Sequence, residues 1–553
     1  MSCRARVRPY TFTKYVGIST SVDSDHIVQL GRNVPQSVPD SDRTVNDSAN
    51  NIATAAKTAG YDKLLKEHID AWEAIWASSS ITVENARLQS IINSAQYELL
   101  SSTYPGARAS IPPGGLAGVG YGGMIFCDAE TWMMPYLLLT HPQLAKSIID
   151  YRFDNLPEAR VNVTDTRFNQ DRGIRPLRGA YFPWVSGTGA MGSEAGDGVR
   201  GRRQLHLQAD IALAQHQYYA ATGDRAFLQN QAWPILSGIA DFYTTRVTLT
   251  AGGYDLEQVT APDEYVENVN TEAFTNGSAI KALDLAIEAG KMLNETIPPL
   301  WTTVRDNFVK PIERDGIHLE YSTFSRFNEN NRIKQADVVL LKYPMEYPMT
   351  DTLAGNDLQY YASITDPDGP SMTDAVYAVV TAELGSCDFD RFLGRSYDVA
   401  MGPYHQFNET RVLDRSAGQQ GPTNIFVTGA GGFLQGVGMG MTGYRFRDDR
   451  IVVKPILPTA IEGQPATRVF FKGLKWQGRE FNVDIGATDT WVTLTKGDAA
   501  PVQTGDNPDE LVTVTQEAPL KIPTRKPVQF NADGTKTTLP CPAPQPSSLM
   551  RLQ

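Results

Sequence analysis

The chain has 553 residues, 41% of them hydrophobic and 20% charged, with 50 Lys plus Arg against 62 Asp plus Glu and a formal net charge of −12. A length beyond the ~250–300 residues at which single cores stop growing predicts several domains or one large barrel. The apolar content excludes a disordered chain, and no run of ~18 apolar residues offers a membrane span. The acid excess repels phosphate backbones and anionic lipid, so neither nucleic acid nor a membrane surface is the expected partner.

In chain order, Met1 to Tyr15 carries basic residues with no apolar stretch behind them, so the sequence as written shows no secretory signal. Val7 to Leu30 reads as extended, and a polar, turn-rich stretch runs on to Ala49. From Asn51 to Trp76, Leu64, Leu65, Ile69, Trp72 and Ile75 fall three and four apart and predict one helix. Amphipathic segments broken by Gly, Pro and Asn then recur from about Glu84 to Phe446. Helices are predicted over 87–100, 129–139, 142–153, 204–221, 226–246, 271–293, 300–310, 358–364, 371–384, 389–401 and 425–439. With no fixed repeat, paired helices in this number predict a closed helical barrel rather than a solenoid. After Arg447 the pattern alternates with period two, as in Arg468-Val-Phe-Phe, Glu480-Phe-Asn-Val-Asp-Ile and Trp491-Val-Thr-Leu-Thr, predicting a β-sandwich of roughly 80 residues. A Pro-rich tail is expected from Lys521 onward.

Cys3, Cys127, Cys387 and Cys541 show neither zinc-clasping spacing nor the density of a disulfide scaffold. Sequons stand at Asn46, Asn162, Asn276, Asn294 and Asn408, and matter only if the chain meets a glycosylation machinery. The stretches Gly118-Val-Gly-Tyr-Gly-Gly and Gly429-Ala-Gly-Gly-Phe-Leu lack the strand–loop–helix context of a nucleotide fingerprint, and read instead as tight loops at a barrel mouth. Serine-hydrolase, zinc-protease and P-loop signatures are absent from the sequence, which leaves carboxylates. The densest group is Ala261-Pro-Asp-Glu-Tyr-Val-Glu, where Asp263, Glu264 and Glu267 share a loop with Tyr265. An acidic loop is more often a solvated surface. Here it is accompanied by Trp132, Tyr136, Trp184, Lys334, Gln335 and His405, the aromatic, amide and charged groups from which sugar sites are built.

The ordered set Phe126-Cys-Asp-Ala-Glu-Thr-Trp, Gly179-Ala-Tyr-Phe-Pro-Trp, His206-Leu-Gln-Ala-Asp-Ile, Pro262-Asp-Glu-Tyr, Lys334-Gln-Ala-Asp-Val-Val-Leu-Leu, Asp366-Pro-Asp-Gly-Pro-Ser-Met-Thr and Thr428-Gly-Ala-Gly-Gly-Phe-Leu-Gln resembles glycoside hydrolase family 65 over roughly Gly60 to Pro458. Its Lys334 and Asp366 segments are most similar to the acid trehalase branch. The resemblance implies a mainly α fold: an (α/α)6 barrel at 83–447, a C-terminal β-sandwich and tail at 448–553, and at 1–82 a shortened N-terminal β segment with a linker helix. It implies inverting cleavage of an α-glucosidic bond, with α,α-trehalose the expected small-molecule partner and a cell-wall, extracellular or vacuolar location. It implies neither cofactor nor metal, and leaves oligomeric state open.

Carried over by motif, Glu264 matches the general acid and Glu409, in Gln406-Phe-Asn-Glu, the general base of the hydrolases; inversion asks for carboxyls ~6.5–9.5 Å apart. Asp263 could supply a field that keeps its neighbour protonated. Asp128 matches a ligand of the sugar hydroxyls, Lys334 and Gln335 a pair that grips the non-reducing glucose, and Trp184 a wall of the pocket; the bland readings are a solvated helix end for Lys334 and plain core for Trp184. Phosphorylases of the family hold phosphate in the loop corresponding to Thr365–Thr373, where this chain has two aspartates and no His. Cys127 stands where the family usually has Trp, and Ala261 where it has Gly. The alternatives are hydrolysis of kojibiose-type or glucosyl-galactosyl substrates, phosphorolysis, or a degenerate carbohydrate-binding protein. Glycans on Asn276 or Asn408 would block the pocket.

Overall fold

The computed structural model describes residues 12–19, 39–116, 118, 120–164, 177–187, 198–411, 425–531 and 535–542. The chain divides into two compact units, Met1–Ser80 and Ile81–Gln553.

In the first unit, residues 12–19 form no regular element, and the rest of the stretch expected to be extended lies outside the described residues. The single helix expected from Asn51 is two helices, α1 (Pro39–Ala59) and α2 (Tyr61–Ser78). Gly60 separates them at φ 82 and ψ 158, a backbone region essentially confined to glycine. From Pro39 on, the polar stretch before Ala49 is helical rather than turn-rich, and its earlier part lies outside the described residues. Its sequence carries the signals of a helix start, Pro39 followed by Asp40 and Asp42, ahead of an Ala-rich run.

The second unit is an (α/α)6 barrel followed by strands. Among the described residues its α-helices of seven residues or more are α3 (Ala86–Leu100), α4 (Met134–Thr140), α5 (Pro142–Asp154), α6 (Leu156–Asn162), α7 (Leu207–Thr222), α8 (Trp233–Arg246), α9 (Ala273–Leu293), α10 (Pro299–Asp306), α11 (Asp351–Ile364), α12 (Met372–Leu384), α13 (Asp388–Tyr397) and α14 (Val427–Gln435). In α3, Leu88, Ile91, Ile92, Ala95 and Leu99 repeat at helical spacing and are fully buried, each large side chain contributing about 1.5–3 kcal/mol. Side chains cap several helix starts: Asn85 accepts from Leu88 N, Glu272 from Phe274 N and Thr275 N, and Thr350 from Leu353 N. The Thr350 cap begins α11 seven residues before the expected Leu358, because periodicity alone misses a polar first turn.

Helices pair as hairpins, α4 with α5, α8 with α9 and α12 with α13, while α7, α9, α12 and α14 are buried along most of their length. That double-sided burial explains the glycines of α14. A Cβ on Gly431 would lie 2.6 Å from the Trp132 carbonyl, and one on Gly432 3.0 Å from Trp132 Cδ1. The stretch at Gly429, expected both within a helix over 425–439 and as a mouth loop, is the helix, packed tightly on its neighbours. The other glycine stretch is a turn, Gly120–Gly123, with Tyr121 at φ 60.

Apart from short two-stranded hairpins, the strands among the described residues are β1 (Ser80–Val83), β2 (Arg445–Phe446), β3 (Ile451–Val452), β4 (Arg468–Trp476), β5 (Arg479–Gly486), β6 (Asp489–Lys496), β7 (Ala500–Gln503), β8 (Leu511–Val514), β9 (Leu520–Pro523), β10 (Val528–Phe530) and β11 (Lys536–Pro540). They form sheets ordered β1-β4-β5-β6-β9 and β8-β7-β3-β2, plus the β10–β11 pair. Alternating burial along β4, β5 and β6 buries one face of the first sheet.

The tail expected to be merely Pro-rich supplies β9, β10 and β11, and Cys541 behind it forms a disulfide with Cys387, 154 residues earlier. Two cysteines so far apart carry no spacing signal; the barrel fold brings them together. Backbone bonds align the same place, Cys387 N to Val528 O at 3.1 Å and Val528 N to Gly385 O at 2.9 Å. Cys541→Ser is expected to cost about 2–4 kcal/mol and to lower Tm by several degrees. An unchanged melting curve for that variant, compared with the oxidised protein, would remove the disulfide from the stabilising set.

Candidate active site

The helices α4, α7, α9, α12 and α14 start at one end of the barrel, and residues at or near those starts line a cleft. Five of the six residues singled out from sequence line it: Asp128, Trp184, Glu264, Lys334 and Gln335. The sixth, Glu409, is bound from the cleft, because Tyr121 lines it and donates its hydroxyl to Glu409 Oε1 at 2.7 Å. Trp132 also lines the cleft, held by its indole N–H on Met372 O at 3.3 Å.

Tyr136 does not line it. It sits inside α4, fully buried, and accepts from Gln96 at 2.7 Å, so it belongs to the core. His405 occupies the turn between the short strands Ala400–Met401 and Gln406–Phe407 and is absent from the lining. Tyr265 is half exposed and donates to Asp366 Oδ2 at 2.8 Å.

Glu264 is at φ 63, an uncommon backbone for a side-chain-bearing residue and one found where the surroundings over-determine it. What determines it here is the turn around Asp263, whose Oδ1 accepts from Tyr265 N at 3.1 Å and Val266 N at 3.3 Å. Lys334 Nζ donates to Glu264 Oε2 at 2.6 Å, and Gln335 Nε2 donates to Pro262 O at 2.8 Å. The Lys-Gln pair thus fixes the acidic loop. Arg200 adds its guanidinium to the Glu264 carbonyl and lies 3.7 Å from Glu264 Oε2. Sequence reading passed over Arg200, and Tyr121 appeared only as part of a glycine run; an aromatic between glycines ahead of the Phe126 motif was the available signal.

The Asp366 loop lies between Lys334 and Glu409. Ser371 N donates to Glu409 O at 2.8 Å, and a Cβ on Gly369 would come within 2.1 Å of Lys334 O, so only glycine permits the approach. An aromatic wall runs edge to face from Tyr121 to Phe126, Trp184, His206 and Phe274, with centroids 5.2 to 5.9 Å apart. His206 is held on both sides, its Nδ1 2.9 Å from Asp210 and its Nε2 2.9 Å from Gln204 Oε1. Cys127, a buried free thiol, brings its sulfur within 4.8 Å of ligand atoms of His206 and Asp210, but both ring nitrogens are already engaged.

Loss of hydration pushes the Asp128 carboxyl up to about 6; the Thr428 hydroxyl, donating at 2.6 Å, opposes the shift, and the charges of Glu264 and Glu409 add to it. The same two carboxylates act on Tyr121, whose burial drives its phenol upward. Asp128 and Glu264 both line the cleft, and Tyr121 ties Glu409 to it.

Beside the cleft, burial pushes Glu98 up to about 8, and its Oε1 accepts from Phe407 N at 3.3 Å. Because Asp128 and Glu98 hold protons in the fold that the unfolded chain releases near pH 4, their contribution favours the fold below that pH. It is lost as pH rises through 6 and then 8. Tm is expected to be several degrees lower at pH 8 than at pH 5, and a rising or flat profile over that interval would contradict it.

Asn276 and Asn408 are buried and hydrogen-bonded, Asn276 Nδ2 to Asp255 at 2.8 Å and Asn408 Nδ2 to Val399 O at 3.0 Å, whereas Asn294 is exposed. No helix among the described residues is long and apolar enough to cross a membrane.

The family model for the glycosyl hydrolase family 65 central catalytic domain matches residues 94–327, and that for the family 65 C-terminal domain matches 444–511, together more than half of the chain. The chain is 34% identical to a kojibiose hydrolase of Mucilaginibacter mallensis, over 75% of this chain and 59% of that protein. It is 32% identical to a protein-glucosylgalactosylhydroxylysine glucosidase of Danio rerio, over 78% of this chain and 66% of that one. It is 28% identical to an acid trehalase of Emericella nidulans, over 90% of this chain and 49% of that one. The chain thus spans about half to two thirds of the length of these relatives. A solved structure described as a kojibiose phosphorylase from the human microbiome superposes with a TM-score of 0.71 at 16% identity, over 87% of this chain and 72% of that one, which shows the fold.

Proposed function

This chain belongs to glycoside hydrolase family 65, and we propose that it is an inverting α-glucoside hydrolase acting on α,α-trehalose. Glu264 protonates the glycosidic oxygen as the bond breaks, and Glu409 takes a proton from the water that attacks C1 from the opposite side. Tyr121 orients Glu409 through its 2.7 Å hydrogen bond. Asp128, Lys334 and Gln335 hold the non-reducing glucose by its hydroxyls, and Trp184 forms a wall of its pocket.

The observation that carries hydrolysis over phosphorolysis is the loop between Lys334 and Glu409. It bears Asp366 and Asp368, with Asp366 Oδ1 accepting from Asp368 N at 2.9 Å, and its negative charge repels a phosphate dianion where neutral water is indifferent. Trehalose is supported by the extent of the acid trehalase alignment, 90% of this chain. The second reading, a kojibiose-type or glucosyl-galactosyl substrate, is favoured by the higher identity to the hydrolases that cover less of the chain. A degenerate binding protein would have no need of both carboxylates. A location outside the cytosol is supported by the Cys387–Cys541 disulfide and by a Candida glabrata relative named as a periplasmic/secreted acid trehalase.

The test is a proton NMR time course on α,α-trehalose and on kojibiose, each with and without phosphate. Early β-glucose from trehalose without phosphate is the expected result. β-Glucose 1-phosphate formed only with phosphate would overturn the role of Glu409, and turnover of kojibiose alone would move the substrate to the second reading.

A further inference from the structure

We infer that Asp263, Glu320 and Asp337 form a cation site beneath the cleft, with a hard divalent ion of the Ca²⁺ class as its ligand. The three side chains are 0%, 1% and 0% exposed, and one carboxylate oxygen from each lies within 4.8 Å of the others. Three oxygens 4.8 Å apart lie about 2.8 Å from a common centre, so at that limit shifts of a few tenths of an ångström bring them to the ~2.3–2.6 Å typical of Ca²⁺. Each residue also keeps an oxygen with no hydrogen-bond donor: Asp263 Oδ2, Glu320 Oε1 and Asp337 Oδ1. The remaining Asp263 and Asp337 oxygens are committed, Asp263 Oδ1 to the backbone of Tyr265 and Val266, and Asp337 Oδ2 to Asp263 N at 3.1 Å.

The charged groups that act on these carboxyls are themselves carboxylates: one another, Glu272 and Glu264. Glu272 is already used as the cap of α9, accepting from Phe274 N and Thr275 N at 2.7 Å. Burying unpaired carboxylates is costly enough that the charge must be cancelled by a cation or by protons. Oxygen-only donors of full charge suit a hard cation and not a soft metal.

The placement gives such an ion a task. Asp263 precedes Glu264, Asp337 follows Gln335 by two residues, and the Glu320 carbonyl accepts from Ala273 N at the start of α9 at 2.8 Å. An ion there ties together the segments that carry Glu264 and Lys334, whichever α-glucoside the cleft takes.

The experiment is elemental analysis of the full chain purified without chelator, followed by melting curves after EDTA dialysis with Ca²⁺ or Mg²⁺ added back. The expected result is about one Ca²⁺ per chain, a fall in Tm of ~3 °C or more on EDTA treatment, and recovery with Ca²⁺. Glu320→Gln, or Asp337→Asn should the first variant fail to fold, is expected to lose both the ion and the EDTA response. A metal-free protein whose Tm ignores EDTA and Ca²⁺ overturns the site and leaves shared protons to cancel the charge. So does a stoichiometric ion retained by Glu320→Gln, which places it elsewhere, and a response to Mg²⁺ alone overturns the class. All these readouts are independent of turnover, so they stand apart from the test of the hydrolase.

Discussion

Glu264→Gln is expected to lower kcat/KM on α,α-trehalose by roughly 10²–10⁴-fold while sugar binding survives. The amide keeps the size of the carboxyl and its oxygen for Lys334, whose Nζ lies 2.6 Å from Glu264 Oε2, so the cleft keeps its shape. What the amide lacks is a proton to give. The loss should therefore follow the leaving group: α-glucosyl fluoride, whose fluoride departs with little help from an acid, should be hydrolysed by the variant at close to the normal rate. Equal losses on both substrates would make Glu264 a positioning residue, and normal turnover of trehalose would sink the assignment. A binding protein with no activity gives a different pattern, with no turnover of either substrate by the unaltered chain.

Where a helix buries one stripe or a strand one face, the sequence spacing shows it, and β4 to β6 and most barrel helices fall within a few residues of expectation; α11 starts seven residues early and α6 is not among the expected helices. What spacing missed were features made by the fold. Spacing does place Gly429 to Gly432 in the helix expected over 425–439, while the glycine run by itself reads as a loop; tight packing against Trp132 is what requires glycine inside α14. The Cys387–Cys541 pair and the Asp263, Glu320 and Asp337 cluster join residues far apart in the chain, and no local pattern announces either. For the cleft, the family motifs named five lining residues although they lie far apart in the chain. Tyr136 and His405 were drawn in by residue type alone, and the structure leaves both outside.

Glu409→Ala should remove turnover of trehalose and of α-glucosyl fluoride alike, by roughly 10²–10⁴-fold, because both reactions need a base to deprotonate water. This is the feature that separates it from Glu264. Cutting the side chain back to a methyl leaves Tyr121 without its 2.7 Å acceptor and opens space on the attacking side of the sugar. Azide fits such a space and needs no base. With α-glucosyl fluoride the azide nitrogen bonds to C1 as fluoride leaves, giving β-glucosyl azide by a single displacement. Its appearance, with restored consumption of the fluoride, is the expected outcome. α-Glucosyl azide would mean two displacements and a covalent sugar on the protein, which overturns inversion, and an unimpaired Glu409→Ala variant would return the base to another residue of the cleft, with Asp128 the first to try.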